Sequence, residues 1–496
     1  MLAGRYWLVL WYASIPLRKH APSLSSSAWT VSGVLLNMMG QGMTLSYPSS
    51  LLPGLKDPSS TIKVDLETAS WLASSVGLSS MLGFFISSFL MEWYGRRLAH
   101  ALVILPGASG WAIIYFSQDV TTLMIGRILG GITAGATVTL GAVVIGEFTS
   151  PEHRGMFLNM KTAAVCLGNT VMHILGHYFD WRTVALFAVL PHVLAFGIVC
   201  TWPESPAWLA SKKKYDESEK AFIWLRGSSE ESKQEHNQLV NSQRDHLTND
   251  KKTFAQNMVV FFKKFGRKDF VKPVIIIFFG AVLLEACGRH TFPAYASVII
   301  SEISGSKEQS FLYTLSLDFI ITASALFSSV LVKVMKRRTL LFSTGIAAIA
   351  VLFGVCGYQF LVVKSFIPRE YTWIPLTLLV LYFILANLGC TPIPFTFLGE
   401  MFPLAHRGAG VSVSGITMAL NLMIALKVTP YLMESIKFHG TFAVFGGTMA
   451  AALLALYFIL PETKDRTLQE IEDYLNYGKF KDKKDEEEEV KLKMIS

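Results

Sequence analysis

Gly399-Glu400-Met401-Phe402-Pro403-Leu404-Ala405-His406-Arg407-Gly408 has a twin in Gly146-Glu147-Phe148-Thr149-Ser150-Pro151-Glu152-His153-Arg154-Gly155. The Gly, Glu, His, Arg and Gly positions agree in the same frame. Each copy lies between two long apolar runs, so each reads as a short charged turn joining two membrane-length helices. Two further pairs recur at nearly the same offset: Gly95-Arg96-Arg97 with Lys336-Arg337-Arg338, and Pro203-Glu204-Ser205 with Pro461-Glu462-Thr463. Three motif pairs in one order mark a duplicated chain of two homologous halves.

Charged residues make up only 16% of the 496, and apolar residues 52%; soluble domains carry a charged share of about a quarter. A helix needs about 20 apolar residues to cross a bilayer. The sequence supplies about twelve such stretches, near 28–50, 70–90, 98–117, 122–146, 156–178, 182–202, 273–299, 310–332, 339–363, 373–398, 409–432 and 440–460. The expected class is therefore an all-α membrane protein of twelve transmembrane helices in two pseudo-symmetric halves. Residues 1–27 form an N-terminal segment, 28–202 the first bundle, 203–272 a linker with helices near 215–226 and 231–246, 273–460 the second bundle, and 461–496 a charged tail. Residues 6–17 read as an interfacial segment because basic residues, not a cleavage site, follow them.

Lys and Arg gather on one side of the predicted spans, at Arg96, Arg97, Arg154, Lys333, Lys336, Arg337, Arg338 and Arg407 and in the lysine-rich linker. That side is expected to be cytoplasmic, with both termini inside. Topology explains the net charge of +8, and no nucleic-acid partner is implied. The cysteines Cys166, Cys200, Cys287, Cys356 and Cys390 all fall within spans at unpaired spacings, which indicates neither a disulfide framework nor a metal site.

Polar side chains inside the spans are the candidates for function, since an exposed polar group in hydrocarbon is costly. Asn37, Gln41 and Thr44 share one face of span 1, as do Thr162, Cys166, Asn169 and His173 in span 5. Such stripes line a cavity or bond neighbouring helices. Span 7 carries Glu285, Arg289 and His290 near its middle; Glu285 and Arg289, at i and i+4, are expected to pair. Span 8 adds Asp318, span 10 is interrupted by Pro392 and Pro394 after Thr391, and span 11 brings Ser414, Thr417 and Asn421 to one face. Broken helices at depth are tolerated where backbone lines a cavity or is buried in protein. In the turns, Glu147 with Arg154 and Glu400 with Arg407 are expected to latch the two halves. No metal constellation, nucleotide-binding loop or nucleophile with a base recurs at workable spacing, so neither a cofactor nor enzymatic chemistry is implied.

These motifs together resemble the sugar porters of the major facilitator superfamily, and within them the insect facilitated trehalose transporter group. The carriers are Gly95-Arg96-Arg97, Gly126-Arg127 with Gly130-Gly131, Glu147 with Arg154-Gly155, Pro203-Glu204-Ser205-Pro206, Pro392-Ile393-Pro394, Gly399-Glu400-Met401-Phe402-Pro403 with Arg407-Gly408, and Pro461-Glu462-Thr463. The resemblance implies two six-helix bundles that rock about a central site. It implies an inner-gate charge network of Glu92, Arg96, Arg97, Glu147, Arg154, Glu204, Arg337, Arg338, Glu400, Arg407 and Glu462. Solute contacts would come from Asn37, Gln41, Thr162, Asn169, Glu285, His290, Thr391, Phe395 and Asn421. Departures concentrate at those contacts: the family's span 7 glutamines and asparagine are matched by Leu284, Glu285 and His290, its span 10 tryptophan by Phe395, and its span 11 Asn-Trp by Met418-Ala419.

The expected activity is facilitative movement of a sugar, trehalose or hexose-like, or a similar small polar solute across the plasma membrane, by a monomer. Proton-coupled symport through Glu285 or Asp318 and a non-transporting sensor are the alternatives.

Overall fold

The computed structural model describes residues 23–249, 263–305, 307–368, 371–402, 407–464, 466 and 468–478. The proposed interfacial segment in residues 6–17 and the charged tail past 478 lie outside the described residues. With no water in lipid to satisfy backbone amides, spanning segments close their hydrogen bonds internally, and helices carry the fold. In the first half these are α1 Ser23–Ser46, α2 Pro48–Lys56, α3 Leu66–Phe116, α4 Val120–Phe148, α5 Pro151–Tyr178 and α6 Trp181–Cys200. The linker forms α7 Pro206–Ser211, α8 Tyr215–Arg226 and α9 Glu230–Asn249. The second half has α10 Lys268–Ala286, α11 Thr291–Ser304, α12 Lys307–Val334, α13 Arg337–Val363, α14 Trp373–Leu385, a π-helix Ala386–Cys390, α15 Pro392–Glu400, α16 Arg407–Ile459 and α17 Leu468–Tyr477.

Among the described residues, 8 helical stretches are long and apolar enough to cross a membrane. Two of them, α3 and α16, run past 48 residues and each cross twice about a kink. Helices α1 and α5 fall below that apolar threshold because of their polar stripes, and they complete the twelve spans. The chain divides into a unit of residues 1–251 with 293–297 and a unit of 252–292 with 298–496.

Close helix approach in the first unit depends on small residues. A Cβ on Gly135 would lie 2.2 Å from the Ser80 carbonyl oxygen, and one on Gly126 2.7 Å from that of Gly110, so the glycine stripe of α4 seats against α3. Helices α1 and α5 cross in the same way: a Cβ on Gly42 would meet the Val165 oxygen at 2.1 Å, and one on Gly168 the Met39 oxygen at 2.1 Å. Arg127, 1% exposed, knits α4 to its neighbours. Its Nε donates to the Leu72 carbonyl at 2.9 Å and its Nη1 to that of Thr44 at 2.8 Å, with the Tyr47 ring 5.8 Å away.

The two long helices kink by the same backbone device with different residues. Gly95 takes φ 86° and ψ −179°; Lys437 takes φ 62° and ψ −177°. That region suits glycine and costs other residues about 1–3 kcal/mol. Lys437→Gly should therefore stabilise the detergent-solubilised protein by about 1 kcal/mol, while Gly95→Ala should destabilise it by about 1–3 kcal/mol. Both are read as shifts in thermal melting, and an unchanged Gly95→Ala melting curve would show that the kink bears no such strain.

Candidate functional site

At the basic ends of the helices each unit builds the same charge network. In the first, Gly95 breaks α3 and leaves the next two amides without helical acceptors. Glu204 takes them: its Oε1 accepts from the Arg96 amide at 2.6 Å, and both oxygens accept from the Arg97 amide at 3.2 Å. The Arg96 guanidinium then clamps Glu147 at 2.6 Å, and the other Glu147 oxygen accepts from the Ser205 hydroxyl. Arg97 donates to the Cys200 carbonyl. A Cβ on residue 95 would fall 2.4 Å from a Glu204 oxygen, so the glycine is needed for space as well as for its φ. Burial holds the Glu204 carboxyl above the ordinary carboxylate range, against the opposing pull of the Ser205, Arg96 and Arg97 amides.

The second unit repeats this pattern of partners. Glu462 accepts the Arg337 amide at 2.9 Å and the Arg338 amide at 3.0 Å; Arg337 clamps Glu400 at 3.0 Å; Thr463 donates to the other Glu400 oxygen at 2.5 Å. Arg338 donates to the Leu460 carbonyl. Lys336 stands where Gly95 stands, with φ −63°, because the turn there is a true helix start.

Among the described residues, the glutamates of the latches expected from sequence have arginine partners other than Arg154. Glu147 binds Arg96 and Glu400 binds Arg337, each within its own unit, because each arginine opens the helix whose amides the neighbouring glutamate already caps. Arg154 lies in the first turn of α5, its amide bonded to the Ser150 carbonyl at 3.0 Å. The Arg407 side chain, like residues 403–406, lies outside what is described. Glu92 also leaves the network: its side chain is exposed, and only its carbonyl is used, by the Trp208 indole at 3.0 Å. Arg226, in the linker, ties Glu235 at 2.8 Å and the Thr149 carbonyl at 2.8 Å.

Within the spans of the first unit, Asn37 is 1% exposed and inward-facing. Its Oδ1 accepts from His192 Nδ1 at 3.0 Å, and its Nδ2 donates to Thr137 at 3.0 Å and faces His100 Nε2 at 3.4 Å. The asparagine thus bonds helices, the structural one of the two roles its stripe allowed. Thr44 folds back onto the Gly40 carbonyl at 3.0 Å. Gln41 and Asn169 behave differently. They flank the Gly42–Gly168 crossing of α1 and α5, and Gln41 Oε1 and Asn169 Oδ1 are buried without a hydrogen-bond partner. Thr162 is half-buried on the same stripe of α5. His173 donates from Nε2 to the Pro293 carbonyl at 3.0 Å, and Ser297 donates to the Ser49 carbonyl at 2.7 Å.

In the second unit, span 7 is discontinuous. Helix α10 ends at Ala286, Gly288 turns the chain with φ 81°, and α11 starts at Thr291. The expected i, i+4 pairing of Glu285 with Arg289 fails because the helix unwinds between them. Glu285, 4% exposed, instead holds His290 Nδ1 at 2.8 and 3.1 Å. Cys287 caps that break beside Thr391, their Sγ and Oγ1 3.8 Å apart. Span 10 breaks one turn before its prolines, as the π-helix Ala386–Cys390, where Gly389 packs so closely on α13 that a Cβ would lie 2.1 Å from Thr344 Oγ1. Asn387, not singled out from sequence, is buried there and donates to the Phe383 carbonyl at 2.8 Å. Phe395 is 37% exposed, Asp318 is buried, and Asn421 donates to the Thr417 carbonyl at 2.9 Å within its own helix.

The family profile described as "Sugar (and other) transporter" matches residues 43–475. The chain is 27% identical to the facilitated trehalose transporter of Bombyx mori over 90% of this chain and 86% of that one. It is 28% identical to that of Apis mellifera ligustica over 92% and 88%. Among solved structures it resembles the proton:xylose symporter XylE bound to 6-bromo-6-deoxy-D-glucose, with TM-score 0.69, 18% identity and coverage of 91% and 99%. The inward-open xylose transporter XylE of E. coli gives 0.71 at 17% identity and the same coverage. The likeness in structure speaks for the fold of twelve helices in two six-helix bundles.

A double-mutant cycle on Arg96 and Glu147, read from detergent-titrated unfolding, should give a coupling of about 1 kcal/mol, matched by Arg337 with Glu400. The cycle on Arg154 and Glu147 should give about zero; coupling there equal to the Arg96 pair would restore the latch expected from sequence.

Proposed function

Because the chain belongs to the sugar (and other) transporter family, we propose that it is a facilitative carrier of trehalose or a hexose-like sugar, working by alternating access. The observation that carries this reading is the pair of unpaired amide oxygens at the α1–α5 crossing, Gln41 Oε1 and Asn169 Oδ1. A buried acceptor without a donor costs about 1–3 kcal/mol, and a sugar hydroxyl supplies the donor. Thr162, Thr391, Phe395 and Asn421 complete the proposed contacts, each contributed by its own unit. Asn37 supports them from behind by fixing α1 against α4 and α6.

Uniport is favoured because α1 carries no carboxylate. The duplicated glutamate and arginine networks serve as the inner gate: they hold the helix ends of each bundle rigid, so that the bundle moves as one body. We place the protein in the plasma membrane as a monomer, with these networks and both termini on the cytoplasmic side. A second reading has one specific observation behind it. Glu285 and His290 form a carboxylate and imidazole pair at a helix break, and such a pair can hold or release a proton.

Uptake of radiolabelled trehalose and glucose by oocytes at two external pH values separates the readings. Saturable uptake, indifferent to pH and retained in Glu285→Gln, is expected for the uniporter. Gln41→Ala and Asn169→Ala should each raise KM by about 2–10-fold, the worth of one hydrogen bond. Uptake that rises with external acid and is lost in Glu285→Gln would transfer the function to proton symport.

A further inference from the structure

Helix α5 carries, within its span, a cation that forms no ion pair among the described residues. Lys161 lies ten residues into α5, counted from Pro151, which places it about 15 Å along the helix. That point falls inside the span read from sequence, 156–178, five residues from its basic end. Its Nζ does not turn toward the basic end of the bundle. It donates to the Val138 carbonyl of α4 at 3.0 Å, and Val138 lies ten residues before the end of α4 at Phe148, at the same depth. The stem of Lys161 runs over Gly141, where a Cβ would lie 3.6 Å from its Cδ, beside Met38 and Val34 of α1.

An embedded lysine is expensive, at least ~2.5–3.5 kcal/mol at mid-membrane, and this one receives little in return. The Val138 carbonyl is mid-helix and already serves its own i+4 amide. That bond uses one of three ammonium donors, and the side chain remains partly exposed. Arg127, also embedded in this unit, is enclosed, bonded twice and backed by a ring, with its Nη2 left without a partner. Within the first six spans no ion pair among the described residues joins Lys161 to a carboxylate; Asp65, Glu67, Asp119, Glu147, Asp180 and Glu204 stand at or beyond helix ends. Lys161, Val165 and Gly168 recur at i, i+4 and i+7 on the α5 face that packs on α1. The lysine therefore belongs to the same helix pair, one position before Thr162 and two turns before Asn169.

We propose that Lys161 is a specificity-determining residue that pairs with a carboxylate on the solute, so that the carrier prefers acidic sugars to their neutral parents. The inference rests on the carrier reading above and names the solute class of that same site. A part-exposed ammonium on the helix that carries Asn169 selects a ligand bearing both hydroxyls and one negative charge. A methionine would fill the same space at no electrostatic cost, which is why packing alone does not account for the lysine.

D-glucuronate and D-glucose test this, since they share a ring and differ in charge. In purified wild-type protein at pH 7, glucuronate should raise the melting temperature at roughly tenfold lower concentration than glucose. Lys161→Met should abolish that preference while leaving the glucose response, and Lys161→Arg should keep it. In oocytes, unlabelled glucuronate should inhibit labelled glucose uptake through the wild type about tenfold better than through Lys161→Met. Equal responses of the wild type to glucuronate and glucose would overturn the proposal, and so would an undiminished preference in Lys161→Met. Glucose flux without a glucuronate preference sinks the specificity alone. A Lys161-dependent glucuronate shift without flux of either sugar upholds the recognition and sinks the carrier. If Lys161→Met does not reach the surface, the wild-type comparison and Lys161→Arg still decide.

Discussion

A glutamate side chain that accepts the first amides of a helix, while a second glutamate holds the arginine bearing one of those amides, is built twice in this protein. Glu204 with Glu147 does it around Arg96 and Arg97; Glu462 with Glu400 does it around Arg337 and Arg338. The motif fastens three points that are far apart in the chain: the helix start, the turn after the fourth or tenth span, and the exit from the bundle. Charge-assisted bonds of this kind are worth about 1.5–3 kcal/mol each, and several share each set of atoms. The consequence is a bundle whose helix ends move together, which a carrier needs if small changes at a central site are to shift a whole half.

The second constraint is that backbone polar groups in lipid must find partners inside the protein. It explains where the helices are allowed to fail. The break at Cys287–His290 survives because the side chain of Glu285 and the chain's own turn replace the missing bonds. The π-helix at Ala386–Cys390 survives because Asn387 and Ser328 bond carbonyls in and beside it. Both failures fall in the second unit, and both bring side chains that helix periodicity separates into one neighbourhood. Discontinuous helices of this kind are the usual builders of transporter sites.

Most of the fold was legible because its signals are long. A twenty-residue apolar run and a ten-residue motif that occurs twice leave little freedom, and the spans, the linker helices and the duplication all follow from them. The partners of charged groups were not legible. Glu147 and Arg154 share a motif, yet Glu147 binds Arg96, since sequence adjacency carries no information on which helix end comes near. Glu285 and Arg289 satisfied the helical pairing rule, but that rule holds only while the helix continues, and Gly288 ends it. Asn37 and Gln41 lie one turn apart on one stripe and have opposite fates: one is saturated by His192 and Thr137, the other keeps a buried oxygen unpaired. Only the arrangement of α4 and α6 around α1 separates them. Lys161 carries no signal in sequence beyond a single charge within an apolar run.

The polarity of α1 and α5 explains more than any single contact. Among the described residues of the first unit, these two spans fall below the level of apolarity that marks a membrane helix. Gly42 and Gly168 press them together so closely that backbone meets backbone, which removes their polar face from lipid and leaves room for little besides the side chains that flank the crossing. Groups placed there cannot be there for insertion, which they oppose, nor for packing, which the glycines provide. Two acceptors without donors, and a cation with no ion pair among the described residues, thus stand on two helices poorly suited to be buried in hydrocarbon.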